Sequence, residues 1–271
     1  MSKEHVLELL SSLGIEPKKK LSQNFLLVDR VMEREAEYAQ CEGEHVLEVG
    51  PGLGFLTEKL AEKALQVTAV EKDRRLIPYL LQKFSDNPKV SIVHADFLKR
   101  EVDDGARIVV SNVPYSISSP LLFKLAEMRV ERAVLCLQKE FADRLVALPG
   151  ERNYSRLTVM AGLKFEPEFL EHVPNMAFYP APKVHSSIVR LTTKESQPLD
   201  GFTREFITLV FQHKRKTLRS ALLDSARNLK KPKSLMREAA ASLSFSERRV
   251  YTLSKEELLQ AAEETRLVLE G

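Results

Sequence analysis

The sequence predicts an α/β fold: a Rossmann-like domain built on a parallel sheet with helices on both faces, then a small all-helical domain. Three observations carry this expectation. Strand-length apolar runs alternate with helical patterns through most of the chain. A glycine-rich turn, GPGLG, joins the first of those runs to a helix. After residue 201 only helical patterns remain, from REFITLVFQHKRKTLRSALLDSA to the end.

The stretch up to Cys41 reads as helices separated by a basic connector, Pro17-Lys18-Lys19-Lys20, with LSQNFLLVD after it. Residues 45–49, HVLEV, form the first strand and run into GPGLGFLTEKLAEKA, where apolar spacing turns helical. QVTAV, 66–70, is the next strand and ends at Glu71. RRLIPYLLQKF is helical, with Pro78 an irregularity inside it. VSIVH, 90–94, is a strand that leads to Asp96, and Ile108–Val110 is another that leads to SNVPY. SPLLFKLAEM is a helix with Ser119 as a candidate N-cap and Pro120 in its first turn. RAVLCLQ is a strand. FYPAPKVHSSIVRLTTK, 178–194, reads as a proline-rich loop and then a strand. SQPLDG, 196–201, is a linker, which divides the chain into 1–195 and 196–271.

Composition narrows the class. The chain has 271 residues, 44% hydrophobic and 29% charged, enough for a core in a main domain with a smaller companion. Cys41 and Cys136 have no metal-ligand spacing and suggest no disulfide framework, so inert buried thiols in a reducing cytoplasm are expected. The N-terminal MSKEHVLELLSSLG lacks the apolar run of a signal peptide. No stretch approaches the roughly 20 apolar residues of a membrane span, so a soluble protein is expected. With no heptad or apolar seam in view, a monomer is the expectation. The net charge of +3 is uneven: residues 200–250 carry +7, residues 251–271 carry −3 and the rest −1. Such a basic segment is either a solvated helix face or the footprint of a polyanion.

In an open α/β sheet, ligands bind at the C-terminal ends of the strands. Gly50, Glu71, Asp96 and Asn112 should therefore meet in one crevice. The glycine turn lets a ligand approach the backbone. It lacks the full G-x-G-x-x-G spacing of a dinucleotide site and by itself points only weakly to a cofactor. Glu71, 21 residues after Gly50, can accept both hydroxyls of a ribose, or it is a surface carboxylate. Asp96 can accept from an adenine amino group, or serve no ligand at all. Together they suit an adenosine ligand without a pyrophosphate, and S-adenosyl-L-methionine fits better than NAD.

SNVPYSI, 111–117, presents an amide, a proline and an aromatic ring at a strand end. The proline holds Val113 extended, so the Val113 carbonyl and the Asn112 amide oxygen can face the crevice. Two such acceptors match an exocyclic amine. Accepting both N–H bonds localises the nitrogen lone pair for in-line attack on a sulfonium methyl, and the site is preorganised for the charge that develops. Tyr115 can stack on the flipped base. The plainer alternative is an Asn-x-Pro turn. His94, His172 and His185 are expected to be structural, and no grouping has metal spacing, so no catalytic metal is expected.

QNFL (23–26), VLEVGPGLG (46–54), Glu71, HADFL (94–98), SNVPYSIS (111–118), AFYPAPKVHSSIVRL (177–191) and FQHKRKTLRSAL (211–222) occur in that order. In this the chain closely resembles the ribosomal RNA adenine N6,N6-dimethyltransferases, from about Lys20 to Leu222. That family uses S-adenosyl-L-methionine to modify two adjacent adenosines in a hairpin near the 3′ end of small-subunit rRNA. The resemblance implies a role in ribosome biogenesis and, as partner, that rRNA or the immature small subunit. It implies that Asn24 and Leu26 touch the cofactor, that Gly50 and Gly52 border its methionine part, and that Glu71 and Asp96 take its ribose and adenine amino group. It places Asn112 between cofactor and target amine, Tyr115 against the target base and Phe178 on the base's other face. On its own pattern Phe178 reads as core. It also favours RNA contact by Lys214, Arg215, Lys216 and Arg219. Two departures matter: Val113 stands where the family commonly has Leu, and His213-Lys214-Arg215-Lys216 where it often has Arg-Arg-Lys, which reduces bidentate phosphate contacts. The NVPY form and the loop wording resemble the archaeal or eukaryotic branch.

Other readings share parts of this pattern. A large-subunit adenine methyltransferase of the macrolide-resistance type has nearly all the motifs, and the basic helical segment argues for the small-subunit enzyme. A non-catalytic assembly factor is compatible with the same chain. A protein or small-molecule methyltransferase leaves the basic segment and Phe178 without use. An NAD-dependent oxidoreductase leaves SNVPY without a role.

Overall fold

The computed structural model describes the chain except residues 1–2, 19–20, 101–104, 196–198, 227, 230 and 271. Contacts divide it into two units, Met1–Ala142 with Phe165–Thr193, and Asp143–Lys164 with Lys194–Gly271.

The first unit holds strands β1 (Phe25–Leu26), β2 (His45–Val49), β3 (Gln66–Glu71), β4 (Val90–His94), β5 (Ile108–Asn112), β6 (Arg132–Gln138), β7 (Phe165–Val173), β8 (Phe178–Tyr179) and β9 (Ser186–Thr193). Seven of them form one sheet in the order β4-β3-β2-β5-β6-β9-β7. The first five strands of that order run parallel. Strand β9 pairs antiparallel with both β6 and β7, so the expected parallel sheet gains an antiparallel flank. The order reverses at β2, whose neighbours β3 and β5 follow it on opposite sides. A crevice opens at such a switch point, beyond the strand C-termini. Strand β1 pairs separately with β8, setting Leu26 opposite Phe178 and Phe25 opposite Tyr179.

Helices α1 (Lys3–Ser12), α2 (Asp29–Ala39), α3 (Phe55–Lys63), α4 (Ile77–Lys83) and α5 (Ser118–Glu127) belong to this unit. Pro78 is no irregularity: it lies in the first turn of α4, where a missing N–H costs nothing. Helix α5 begins two residues earlier than an N-cap at Ser119 implies. Ser119 is inside it, and no side chain caps its start. Nothing in the periodicity of 165–173 points to a strand, yet β7 runs there with Pro167 in it. It is an edge strand, which tolerates a proline and charged outward residues.

Helix α6 (Lys139–Leu145) spans the division between the units, and α7 (Arg156–Lys164), α8 (Gly201–Gln212), α9 (Leu218–Asp224), α10 (Lys233–Ser242) and α11 (Lys255–Glu270) build the second. The expected division at 195 and 196 differs in one respect, since 143–164 joins the helical unit. Tyr154 and Val159 are buried in its core beside Phe206, Val210, Leu222 and Leu258. The Tyr154 hydroxyl donates to the Leu253 carbonyl at 2.8 Å. Among the described residues, no helix is long and apolar enough to cross a membrane.

Candidate active site

One cleft in the first unit is lined by Asn24, Leu26, Gly50, Gly52, Glu71, Asp96, Asn112, Tyr115 and Phe178, the nine positions expected around the cofactor and the target base. They come from six separate strand ends or loops: the ends of β2, β3, β4 and β5 meet at the switch point, and the β1–β8 pair adds Asn24, Leu26 and Phe178. The Ser111 hydroxyl, donating to the Val49 carbonyl at 2.7 Å, ties β5 to β2 at the crevice floor.

The turn after β2 has three glycines at positive φ, Gly50 (76°), Gly52 (59°) and Gly54 (75°). At Gly52 a Cβ would stand 3.3 Å from the Phe25 ring, so the turn is closed by QNFL packing as well as by backbone conformation. That segment is tethered in turn. Gln23 Nε2 donates to Asp73 Oδ2 at 2.9 Å, and its Oε1 accepts from the Lys18 N–H at 2.8 Å. The Arg75 guanidinium, 2.6 Å from Asp73, and Gln23 hold the Asp73 carboxyl down at about 2, against the effect of its burial.

Glu71 is buried, and each carboxyl oxygen accepts one backbone N–H: Oε2 from Gly52 at 3.1 Å and Oε1 from Asp73 at 2.7 Å. Burial pushes this carboxyl up, opposed by those two N–H groups. Each oxygen retains a lone pair for a ribose hydroxyl. The Lys72 ammonium, 2.8 Å from Asp96 Oδ2, holds that carboxyl below its usual range. The Leu98 N–H donates to Asp96 Oδ1 at 3.2 Å. Beneath the turn lies Glu48, 1% exposed, with the Thr57 hydroxyl donating to it at 2.6 Å, and burial pushes its carboxyl up to about 8.

At the end of β5, Asn112 Nδ2 donates to Glu35 Oε2 at 3.1 Å. Asn112 Oδ1 is buried and, among the described residues, has no hydrogen-bond partner. An acceptor in that state belongs to a ligand or carries an energetic cost. The Tyr115 hydroxyl is 2.7 Å from Ser186 Oγ, which fixes the ring at the cleft edge. Phe178 is 6% exposed and belongs to the unit's apolar core while also lining the cleft. Its pattern as core and its expected role as a base-facing aromatic are therefore compatible.

The chain matches the family described as ribosomal RNA adenine dimethylase over residues 15–260. The chain belongs to that family. It is 47% identical over 230 residues, 83% of each chain, to the probable ribosomal RNA small subunit methyltransferase A of Methanopyrus kandleri. Among solved structures it is similar to a dimethyladenosine transferase from Plasmodium falciparum (28% identity, TM-score 0.80, 90% of this chain and 98% of that one). It is also similar to the 23S rRNA methyltransferase ErmE (33% identity, TM-score 0.68, 89% and 99%). The ribosomal RNA adenine dimethylase reading of the sequence and its Rossmann-like fold hold, and with them an enzyme that uses S-adenosyl-L-methionine. The glycine cradle against Phe25 and the carboxylates of Glu71 and Asp96 fit that molecule.

Of the four basic residues expected to meet RNA, two line one cleft and two do not. Lys214 and Arg215 line a second cleft in the helical unit, together with Arg152, Arg249, Gly150 and Tyr251. Lys214 is partly committed, donating to the Arg152 and Tyr154 carbonyls at 3.0 and 2.7 Å. Lys216 pairs with Asp224 at 2.6 Å, and Arg219 approaches Glu247 at 3.8 Å. Arg152 and Arg249 are not among the residues expected from the sequence: the first lies in 143–164, which groups with the helical unit, and the second is joined to the basic loop through the Thr217–Arg249 bridge.

Proposed function

We propose that this chain transfers methyl groups from S-adenosyl-L-methionine to the N6 amines of two adjacent adenosines in a 3′-terminal hairpin of small-subunit rRNA, during assembly of that subunit. The observation that carries the reading is Asn112 Oδ1, a buried acceptor with no partner among the described residues, on a residue that lines the cleft with Tyr115 and Phe178. S-adenosyl-L-methionine supplies an electrophilic methyl group. Asn24, Leu26, Gly50 and Gly52 bind its methionine end, Glu71 accepts from the ribose hydroxyls, and Asp96 accepts from the adenine amino group. Asn112 Oδ1 accepts an N–H of the target amine, which localises the lone pair and stabilises the positive charge that develops there. Tyr115 and Phe178 hold the flipped base and exclude water. The proton is lost after attack, so no general base is needed before it.

The helical unit contributes phosphate contacts. Arg152, Arg215 and Arg249 converge on one cleft and have no carboxylate partner among the described residues. A folded RNA hairpin is recognised through its backbone and shape, which suits three arginines presented together. Lys216 and Arg219 add weaker contacts from the rim. The protein acts as a cytoplasmic monomer on the immature subunit.

The test is incubation with labelled S-adenosyl-L-methionine and small subunits from a strain lacking the modification. Digested RNA is then analysed by mass, with Asn112→Ala alongside. N6,N6-dimethyladenosine from the wild type and little from the variant is the expected result. The likeness to ErmE favours one second reading. Methylation of large-subunit RNA in place of small-subunit RNA would select it. Tight subunit binding with no methylation of either RNA would leave an assembly factor.

A further inference from the structure

Helix α2 turns Val31, Met32, Glu35, Ala36 and Ala39 into the first unit. Glu35 is the carboxylate in this otherwise apolar stripe, and it is 0% exposed. Burial of a carboxyl group without a cation bonded to it is costly, so its presence there asks for a reason. Oε2 accepts from Asn112 Nδ2, while Oε1 is buried with no partner among the described residues.

The sheet register explains the surroundings. Asn112 is opposite Cys136, Cys136 opposite Ile188, and Ile188 opposite Glu171. A bulge between Phe169 and Glu171 brings Glu171 onto this row. Arg34, next to Glu35 on α2, pairs with Glu171 at 2.7 Å, and Glu171 Oε1 is likewise buried without a partner. The groups that act on Glu35 are thus Arg34 from its own helix, Glu48 on β2, Asn112 on β5, the Cys136 thiol on β6 and Glu171 on β7.

An asparagine side chain has an acceptor end and a donor end, and only the acceptor end serves the target amine. A carboxylate has no proton to donate and can hold only the donor end. We infer that Glu35 is a positioning residue for methyl transfer: by accepting from Asn112 Nδ2 it fixes Asn112 Oδ1 as the group presented to the target amine. The inference rests on the role given to Asn112 above. A protonated Glu35 has one donor and one acceptor and holds the amide in either orientation. Burial pushes this carboxyl up to about 8, the Asn112 hydrogen bond opposing and Glu48 and Glu171 adding to the shift. The orienting form is therefore gained as pH rises through about 8. Glutamine at this position is ambivalent at every pH.

The test compares the full-length wild type with Glu35→Gln and Glu35→Asp, each checked for fold by circular dichroism. One readout is the side-chain amide region of 1H–15N spectra, with Asn112 assigned by its loss in Asn112→Ala. The other is kcat and KM against pH on small subunits. In the wild type the Asn112 amide resonances are expected to titrate near pH 8, and kcat to rise over the same interval. In Glu35→Gln both are expected to be flat, with kcat on the alkaline side down about 10- to 100-fold and KM for S-adenosyl-L-methionine little changed. Glu35→Asp, which keeps the charge, retains the alkaline rise at lower kcat. Asn112 resonances that do not titrate, and that match between wild type and Glu35→Gln, overturn the inference whatever the activity. A wild type that titrates as expected yet methylates no RNA overturns the catalytic reading of Asn112 instead.

Discussion

Asn112 and Glu35 lie 77 positions apart in sequence, and a single hydrogen bond of 3.1 Å joins them across α2 and β5. It occupies the donor end of the amide, and the acceptor end is buried with no partner among the described residues, on a residue that lines the cleft. The proposed role of Asn112 rests on that division, and so does the first expectation.

Asn112→Ala should lower methyl transfer by about 100-fold or more, as loss of an oxyanion-hole-type contact does elsewhere. Asn112→Asp keeps an oxygen in place but sets a second carboxylate against Glu35, so it should not rescue activity. Single-turnover rates with labelled S-adenosyl-L-methionine separate these effects from binding.

The stability of the protein should fall as pH rises from about 5 to about 8. Glu35 and Glu48 are both held near 8 in the folded chain, against an ordinary value of 4.5. Over that interval the folded state binds more protons than the unfolded state, so ionisation favours unfolding. Glu48→Gln, which keeps a partner for the Thr57 hydroxyl, should flatten this slope. Urea midpoints measured at pH 5, 7 and 8.5 decide it, and a wild-type midpoint that rises across this range would sink the idea.

Gly52→Ala should weaken S-adenosyl-L-methionine binding more than it weakens the fold. A side chain at φ 59° costs roughly 1–2 kcal/mol, and its Cβ would press on the Phe25 ring at 3.3 Å. The ring is part of the QNFL segment that closes the cleft, so displacement opens the site. Calorimetric titration of the ligand against thermal melting of the free protein measures the two effects separately.

Tyr115→Phe should retain most activity, because the ring proposed to cover the base remains and only the bond to Ser186 is lost. Tyr115→Ala should not. Phe178→Ala should in addition destabilise the first unit by about 3–5 kcal/mol, since that ring is 6% exposed and part of the core. Chemical denaturation alongside the methyl-transfer assay distinguishes the two aromatics.

Arg215→Ala and Arg249→Ala should each weaken rRNA binding and reduce the slope of log affinity against log salt by about 1. Lys216→Ala should do less, because Asp224 already holds that ammonium at 2.6 Å. Filter binding at several salt concentrations reads both quantities, and equal slopes for all three variants would argue against the cleft as the phosphate site.

Much of the site is legible in the chain itself. Strand-ending positions are set by local apolar patterning, and topology alone carries the C-terminal ends of parallel strands to one edge. That is why Gly50, Glu71, Asp96 and Asn112 come together as the sequence leads one to expect. QNFL and AFYP are recognisable as motifs, but their pairing, Leu26 opposite Phe178, is a contact between distant segments that no local pattern encodes. Glu35 leaves a faint trace, a carboxylate four residues after Val31 and four before Ala39 on an apolar helix face. Its burial can be told from a tolerated surface charge only once α2 is placed on the sheet.

By itself, then, the sequence determined the alternation of strands and helices, the residues at the strand ends and the basic character of the helical part. These depend on periodicity, glycine and proline geometry, and composition, which act over a few residues. Tertiary structure alone decided that β7 adds an edge with a bulge at Glu171, and that 143–164 packs with α8–α11. It also decided that Arg152 and Arg249 join Arg215 around one cleft, and that Asn112 is held by a buried carboxyl. Each of these rests on long-range packing and on the burial of polar groups. Both are properties of neighbours in space, which chain order does not specify.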